Sequence, residues 1–117
     1  MPNNFDPHDG GKVSRADAEK WIKKFDDDRH DKEKDTKSIF FGKDFLREVL
    51  DTPECVGISF FFARKHSAFA GKETLNLVLV PRRADGTLIW AKDFDGKDGG
   101  SGESGYNQGK ICPPTCS

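Results

Sequence analysis

The first long pattern in the chain is an apolar stripe at helical spacing, formed by Ala18, Trp21, Ile22 and Phe25. Such a stripe is typical of a helix with one face against a core. It predicts a helix over about 15–30. Ser14 precedes the stripe and fits the N-cap, because its hydroxyl can accept a hydrogen bond from the first turn.

A second, shorter stripe follows at Phe45, Leu46, Val49 and Leu50. It has the same spacing, so it predicts a helix within the stretch "SIFFGKDFLREVLDTPE". Pro53 then ends this helix, because proline has no N–H and its ring clashes with the preceding turn.

From Cys55 onward the pattern changes to a period of two, which is typical of β-strands. The stretch "CVGISFFFAR" has one face formed by Val56, Ile58, Phe60 and Phe62. The stretch "ETLNLVLVP" alternates in the same way and predicts a second strand. Asp85 and Gly86 favour a tight turn, since both tolerate positive φ, and "TLIW" after them predicts a third strand.

These elements predict an α+β fold, in which two N-terminal helices pack on one face of a small antiparallel three-stranded meander with a C-terminal tail. The predicted core is Trp21, Phe25, Phe45, Leu46, Val49, Val56, Ile58, Phe60 and Leu77. The opposite face of the sheet then needs another cover, because exposed apolar patches mark contact surfaces. We predict an interaction face of Phe61, Val78 and Val80, covered by the tail or by a second subunit in a homodimer.

Composition divides the chain of 117 residues into four stretches. We expect a flexible lead at 1–13, a single α+β domain at 14–92, a glycine-rich loop at 93–109 and a cysteine-containing tail at 110–117. This length suits one domain.

Charge and hydropathy exclude several classes of function. Nineteen basic against 20 acidic side chains give a net charge of −1, which favours neither nucleic acid nor an anionic membrane as a partner. No apolar run reaches the roughly 18 residues of a membrane span, and the N-terminal stretch has no apolar signal-peptide core. We therefore expect a cytoplasmic protein with a protein partner.

Four cations are expected at one end of the predicted meander: Arg64, Lys65, Lys72 and Lys92. We call these four residues the candidate anion patch. Arg82 and Arg83 fall at the opposite end, so the positive charge is divided between two ends of the sheet. A nucleic-acid site instead needs a continuous stripe of positive charge. Solvated strand ends are the simpler interpretation.

Other stretches match known sites only in part. "DFDGKDGGSGES" begins like a calcium loop, but Lys97 and Ser104 stand where oxygen ligands belong. "DDDRHD" is more typical of a solvated helix end than of a metal cluster. There is no phosphate loop, nucleophile elbow or zinc-protease helix. We expect no cofactor, no metal and no enzymatic activity.

The tail "GKICPPTCS" holds two of the three cysteines, Cys112 and Cys116. The prolines between them favour an extended stretch of about 12 Å, whereas disulfide Cα atoms lie within about 7 Å, so a turn or a cis proline is needed to close the ring. We expect free thiols that anchor the tail near Cys55. A local disulfide, a disulfide to Cys55 and a zinc site with a histidine are alternatives.

The pattern "FFGKDFLREVLDTPECVGISFFFA", then "TLNLVLV" and a terminal "CPPTCS", resembles a group of small uncharacterised bacterial α+β proteins. The likeness covers residues 38–117, and its most specific part is the terminal C-P-P-x-C. The matching residues are Cys55, Cys112, Pro113, Pro114 and Cys116. The resemblance implies an α+β fold with an important tail, and it implies no activity.

The leading hypothesis is a small interaction or accessory protein that binds its partner through the predicted interaction face and the tail. The alternative is a thiol redox or metal-binding protein that uses Cys112, Cys116 and Cys55. A third hypothesis is an anion or nucleic-acid binder that uses the candidate anion patch.

Overall fold

The computed structural model describes residues 4–92 and 103–116. Its elements are α1 (Arg15–Asp28), β1 (Ser38–Phe40), α2 (Lys43–Leu50), β2 (Gly57–Ser67), β3 (Lys72–Arg82) and β4 (Lys110–Cys112). Residues 93–102, which hold most of the predicted glycine-rich loop and of the calcium-like stretch, lie outside the described residues. Within the described residues no helix is both long and apolar enough to cross a membrane.

The predicted three-stranded meander is wrong, although the chain is α+β overall. In the described residues the strands form two separate antiparallel sheets, β1–β4 and β2–β3. The turn after β3 does form, and Gly86 has a φ of 92° there. Pro81 lies close before this turn and has no N–H, so it lacks a donor that a regular ladder with the segment after the turn would need. Only isolated contacts follow, such as the hydrogen bond from the Ile89 N–H to the Pro81 carbonyl.

Both predicted helices are present. α1 begins after Ser14, whose Oγ accepts a hydrogen bond from the Asp17 N–H at 3.1 Å. This bond satisfies one of the backbone donors that a helix start leaves free. α2 is shorter and contains the predicted stripe, which ends at Leu50.

The prediction that both helices cover the sheet is wrong for α1. None of its residues is buried, and Trp21 is 57% exposed. The C-terminal end of α1 is held instead by polar contacts, since the guanidinium of Arg29 bonds the Asp26 carboxylate and the Asp35 carbonyl. These contacts tie α1 to the loop after it, and its apolar stripe faces solvent.

α2 packs near the sheet. The ring of Phe45 lies edge-on to Tyr106, with 5.8 Å between centroids. Tyr106 pairs with Leu79 of β3, and directly paired residues of antiparallel strands project to the same face. α2 therefore lies over the face of β3 that carries Leu79.

The core is centred on α2 and β3. Val49, Leu79, Val80 and Pro81 are fully buried. Burial of Val49 confirms one member of the predicted core, and Trp21, Phe25 and Phe60 are exposed, which corrects three others. The remaining predicted members are half-buried: Phe45, Leu46, Val56, Ile58 and Leu77.

The C-terminal tail is ordered as β4, which pairs with β1 in the register Ser38↔Cys112 to Phe40↔Lys110. Gly109 allows this approach, because a Cβ there would lie 2.6 Å from Ile39 Cγ2 and 2.7 Å from the Phe40 carbonyl oxygen. The tail therefore docks on a strand that was not predicted.

The described part of the N-terminal lead contacts the hairpin. The Phe5 N–H donates to the Ala84 carbonyl at 3.0 Å. The Phe5 ring also lies 4.7 Å from the guanidinium carbon of Arg82, in a cation–π contact.

Candidate functional site

The outer edge of β3 is closed by other parts of the chain. Leu79 exchanges two backbone hydrogen bonds with Tyr106, at 2.8 and 2.9 Å, and Ile89 donates to the Pro81 carbonyl at 2.8 Å. Backbone groups of an antiparallel strand point alternately to either side. The odd-numbered residues of β3 therefore direct their N–H and C=O groups away from β2.

Polar side chains close more of the same edge. Thr36 Oγ1 donates to the Leu75 carbonyl at 2.6 Å, and Asn107 Nδ2 donates to the Leu77 carbonyl at 2.6 Å. The Leu77 N–H donates to Asn76 Oδ1 at 2.8 Å. Thr36 and Asn76 are almost completely buried. Because a buried polar group without a partner is costly, these bonds fix the neighbours of β3 firmly.

The outer edge of β2 has no such cover. β2 pairs with β3 in the register Phe61↔Val78, so the alternation assigns its outward backbone groups to Ile58, Phe60, Phe62, Arg64 and His66. In residues 4–92 and 103–116, the backbone groups of these residues have no hydrogen-bond partner across that side. We call these five residues the open edge.

Exposed aromatic rings accompany the open edge. Phe62 is 79% exposed and Phe60 is 47% exposed, and Phe61 is exposed on the opposite face of β2. The first charged residue of the strand is Arg64, so the preceding part lacks the charges that usually protect an edge from pairing. A long apolar strand with free backbone donors and acceptors can accept another strand.

The predicted interaction face is accessible only in part. Val80 is completely buried and Val78 is half-buried, whereas Phe61 is exposed. A Cβ on Gly105 would lie 3.2 Å from Val78 Cγ1 and 3.2 Å from Trp90 Cζ3. The segments that carry Gly105 and Trp90 therefore cover Val78, whereas Phe61 stays exposed, with the guanidinium carbon of Arg82 5.5 Å from its ring centroid.

The cations of the candidate anion patch belong to two parts of the chain: β2 and β3 carry Arg64, Lys65 and Lys72, and Lys92 follows the turn after β3. Lys65 and Lys72 lie near the β2–β3 turn, where they pair with Thr74 and Ser67. Lys92 instead follows the bridge between Ala91 and Ser104, in the segment that leads to Tyr106. Lys65 also donates to Asn107 Oδ1 at 2.7 Å.

The surroundings of the hairpin end carry both signs of charge. Arg64 and Lys72 line a cavity of about 540 Å³, and Asp28, Asp35 and Glu73 line it as well. Lys72 Nζ lies 2.8 Å from Asp35 Oδ1. Arg29 lines the cavity too, so three carboxylates stand beside three cations and neither sign of charge dominates.

The ion pair between Lys72 and Asp35 shifts the pKa of both residues. The hydrogen bond from Lys72 lowers the pKa of Asp35, helped by the backbone N–H of Asp31, and the same bond to Asp35 raises the pKa of Lys72. A carboxyl group whose folded-state pKa is lowered stabilises the fold above its unfolded pKa. That contribution is lost as the pH falls through the folded-state pKa.

We expect Lys72→Met to raise the pKa of Asp35 in an NMR titration of side-chain carboxyl resonances. Asp85 is the internal control, because its pKa is lowered by hydrogen bonds from the backbone and side chain of Thr87. A pKa of Asp35 that stays in place, or one that moves together with that of Asp85, would contradict the assigned ion pair.

The three cysteines lie at two places. Cys112 and Cys116 form a disulfide with Cα atoms 4.6 Å apart, and both the Cys112–Pro113 and Pro113–Pro114 peptide bonds are cis. This differs from the expectation of free thiols and matches the local disulfide among the alternatives. Cys55 is free, and its thiol contacts the Gly57 carbonyl at 3.2 Å. In the described residues no group of three or more His, Cys, Asp or Glu side chains could hold a metal ion.

Periodicity alone did not identify the open edge. It assigned Phe60, Phe61 and Phe62 to strand faces, but the edge depends on which segments lie beside β3. Those segments are fixed by Thr36 and Asn107, which belong to no periodic pattern. Pro81 was the one local signal, since prolines are found at strand edges and bulges.

We compared the chain with protein-family models, with curated proteins and with solved structures, and none of the comparisons found a match. The resemblance to small bacterial proteins that end in C-P-P-x-C therefore stays a prediction.

Proposed function

We propose that this chain is a protein–protein interaction module, and that a second copy of the chain binds to it by pairing along β2. The observation that carries the proposal is the open edge, which belongs to a strand of 11 residues that has no charged residue before Arg64 and whose outward backbone groups are unpaired. An exposed strand of this kind pairs readily with a further strand. The second copy offers the same strand with the same spacing of donors and acceptors.

The charges around β2 favour antiparallel pairing of the two copies. Arg64, Lys65 and His66 lie at the C-terminal end of the strand, and Asp51 and Glu54 lie just before it. Parallel pairing would place the cations of both copies together, which is destabilising. Antiparallel pairing places the basic end of one copy beside the acidic segment of the other.

The aromatic residues favour one register. When Phe61 lies opposite Phe61 of the second copy, each Phe60 faces a Phe62 across the interface, and cross-strand aromatic pairs are stabilising. In this register the outward residues of one strand meet the outward residues of the other, as antiparallel hydrogen bonding requires. The pairing then extends from Gly57 to Lys65, which face each other at the two ends.

This arrangement closes both open edges at once. The same strand pairs with itself about a twofold axis, so the interface is isologous and the assembly stops at two copies. The product is a continuous four-stranded sheet in which β3 of each copy forms an outer strand. Each outer strand is already covered by the contacts of Tyr106 and Asn107.

Light scattering during size-exclusion chromatography tests the proposal. The wild-type chain is expected to be dimeric at micromolar concentration. Phe62→Lys is expected to raise the dissociation constant at least about tenfold, or about 1.4 kcal/mol, because a charge on an edge strand opposes pairing. The matched control is Phe40→Lys in β1, where the phenylalanine is 65% exposed. A wild-type chain that remains monomeric at high micromolar concentration would contradict the proposal, as would equal weakening by both variants.

A cross-linking experiment tests the register. Phe61 opposite Phe61 is a non-hydrogen-bonded pair, whose Cα atoms lie about 4.5 Å apart, within the range of a disulfide. Phe61→Cys, in a Cys55→Ser background without the free thiol, is therefore expected to yield a covalent dimer on mild oxidation. Phe69→Cys at the hairpin turn is the control. Equal cross-linking of both variants would show random collision and would reject the register.

A further inference from the structure

We propose that the Cys112–Cys116 disulfide is a redox site that exchanges with low-molecular-weight thiols, which attack the sulfur of Cys116. This inference is independent of the open edge, because it concerns the turn after β4. Three observations support it: the short ring that the disulfide closes, the unequal burial of its cysteines, and the cavity beside Cys116.

The disulfide is expected to stabilise the fold less than a longer cross-link would. The disulfide joins residues only four positions apart, and the stabilisation expected from a cross-link falls as its loop becomes shorter. β4 is already held without it, because the Lys37 N–H donates to the Cys112 carbonyl at 2.7 Å and the β1 pairing continues from there. The turn itself is closed by a hydrogen bond from the Thr115 N–H to the Ile111 carbonyl at 2.9 Å.

The two cysteines differ in accessibility. Cys112 is 4% exposed, whereas Cys116 is exposed at the surface. A thiolate from solution can therefore reach Cys116 more readily than Cys112. Exposure of one sulfur directs the attack, since the rate of thiol–disulfide exchange depends on which sulfur is accessible.

A cavity of about 250 Å³ adjoins the exposed cysteine. Its lining residues are Ser38, Phe40, Lys110, Thr115 and Cys116. The volume is just below the range of typical small-molecule sites, so the cavity has room for part of a small thiol beside the sulfur. Lys110 brings a cation to this cavity, which favours an anionic thiolate near the sulfur and attracts a small thiol that carries carboxylates, such as a tripeptide thiol.

The exchange takes two steps, in which atoms and electrons are conserved. A thiolate attacks Sγ of Cys116, the bond between Cys116 and Cys112 breaks, and Cys112 leaves as a thiolate that takes a proton from solvent. A second thiolate attacks the bound thiol sulfur of the mixed disulfide and releases Cys116 as a thiolate, which is protonated in turn. Two thiols are oxidised to one disulfide, and the protein disulfide accepts two electrons to become a dithiol.

The test equilibrates the wild-type chain with graded mixtures of reduced and oxidised glutathione, followed by acid quench, alkylation and mass spectrometry. We expect the Cys112–Cys116 pair to change reversibly from disulfide to dithiol, by a two-electron reduction, as the proportion of reduced glutathione in the mixture rises. The amide of Lys37 should stay protected from hydrogen exchange in both redox states, because its hydrogen bond does not involve the sulfurs. A pair that stays fully oxidised or fully reduced in every mixture would overturn the proposal, and so would loss of that protection on reduction.

Single variants test the direction of attack. In Cys112→Ser, the remaining Cys116 thiol is expected to react with a disulfide reagent at least tenfold faster than Cys112 does in Cys116→Ser. Cys55→Ser is the control and should leave the glutathione transition unchanged. Equal rates for the two thiols, or a mixed disulfide mapped to Cys112 in the wild-type chain, would reject Cys116 as the point of attack. If either variant does not fold, the mapped site in the wild-type chain decides.

Discussion

Replacing Leu79 by alanine is expected to lower the free energy of unfolding by about 2–5 kcal/mol. Leu79 is completely buried, and its backbone exchanges two hydrogen bonds with Tyr106. The substitution removes apolar contacts and leaves a cavity that these fixed neighbours cannot fill. Urea denaturation at a concentration where the chain is monomeric measures the effect.

The matched control is Phe62→Ala, on the same face of the hairpin. Phe62 is largely exposed, so its loss is expected to change the free energy of unfolding by no more than about 0.5 kcal/mol. The two variants therefore compare the loss of stability at a covered position with the loss at an exposed position on one face of the sheet. Similar losses for both would mean that Phe62 is packed in the monomer, and the open edge would have to be abandoned.

Gly109→Ala is expected to lower the free energy of unfolding by about 1–3 kcal/mol, as overpacking does, and to detach β4 from β1. The added Cβ would lie 2.7 Å from the Phe40 carbonyl oxygen and 2.9 Å from Phe41 Cζ. The carbonyl belongs to the backbone of β1, so it cannot move aside without disturbing the strand pairing. Thermal unfolding measures the loss, and hydrogen exchange of the Lys37 N–H, which donates to the Cys112 carbonyl of β4, reports the detachment.

Gly57→Ala is the control for this substitution. Gly57 is also in a strand register, but a Cβ there would meet nothing within 4 Å. Alanine costs less backbone entropy than glycine, so this variant is expected to be as stable as the wild type or slightly more stable. If Gly109→Ala and Gly57→Ala destabilised the chain equally, the close approach of Gly109 to β1 would not be the cause of the effect of Gly109→Ala.

Periodicity predicted the local elements because their apolar residues recur at the spacing of a helix or a strand. The stripe after Ser14, the shorter stripe that begins at Phe45 and the alternation around Phe61 each give a signal, and α1, α2 and the β2–β3 hairpin follow from them. β1 could not be predicted in this way. It has only three residues, and its strand character depends on pairing with Ile111 of the tail.

The arrangement of the elements was harder to predict than their existence. The apolar stripe of α1 was expected to face the sheet, yet Arg29 ties the end of that helix to the loop through polar bonds. Likewise, the neighbours of β3 are chosen by hydrogen bonds from Thr36 and Asn107. Single polar residues of this kind do not recur at a fixed spacing. A sequence pattern therefore does not predict which backbone groups they will bond. The open edge is what remains after these bonds are made.

The cover on β3 has a consequence for the order in which the chain folds. Its outer edge is closed in large part by Tyr106 and Asn107, which lie more than 20 residues after the end of the hairpin. Until these residues reach β3, a folding hairpin has its β2 edge and part of its β3 edge unpaired, beside a run of three phenylalanines. Unpaired strand edges in partly folded chains are prone to aggregate. Aggregation therefore competes with folding until the segment that carries Tyr106 is in place.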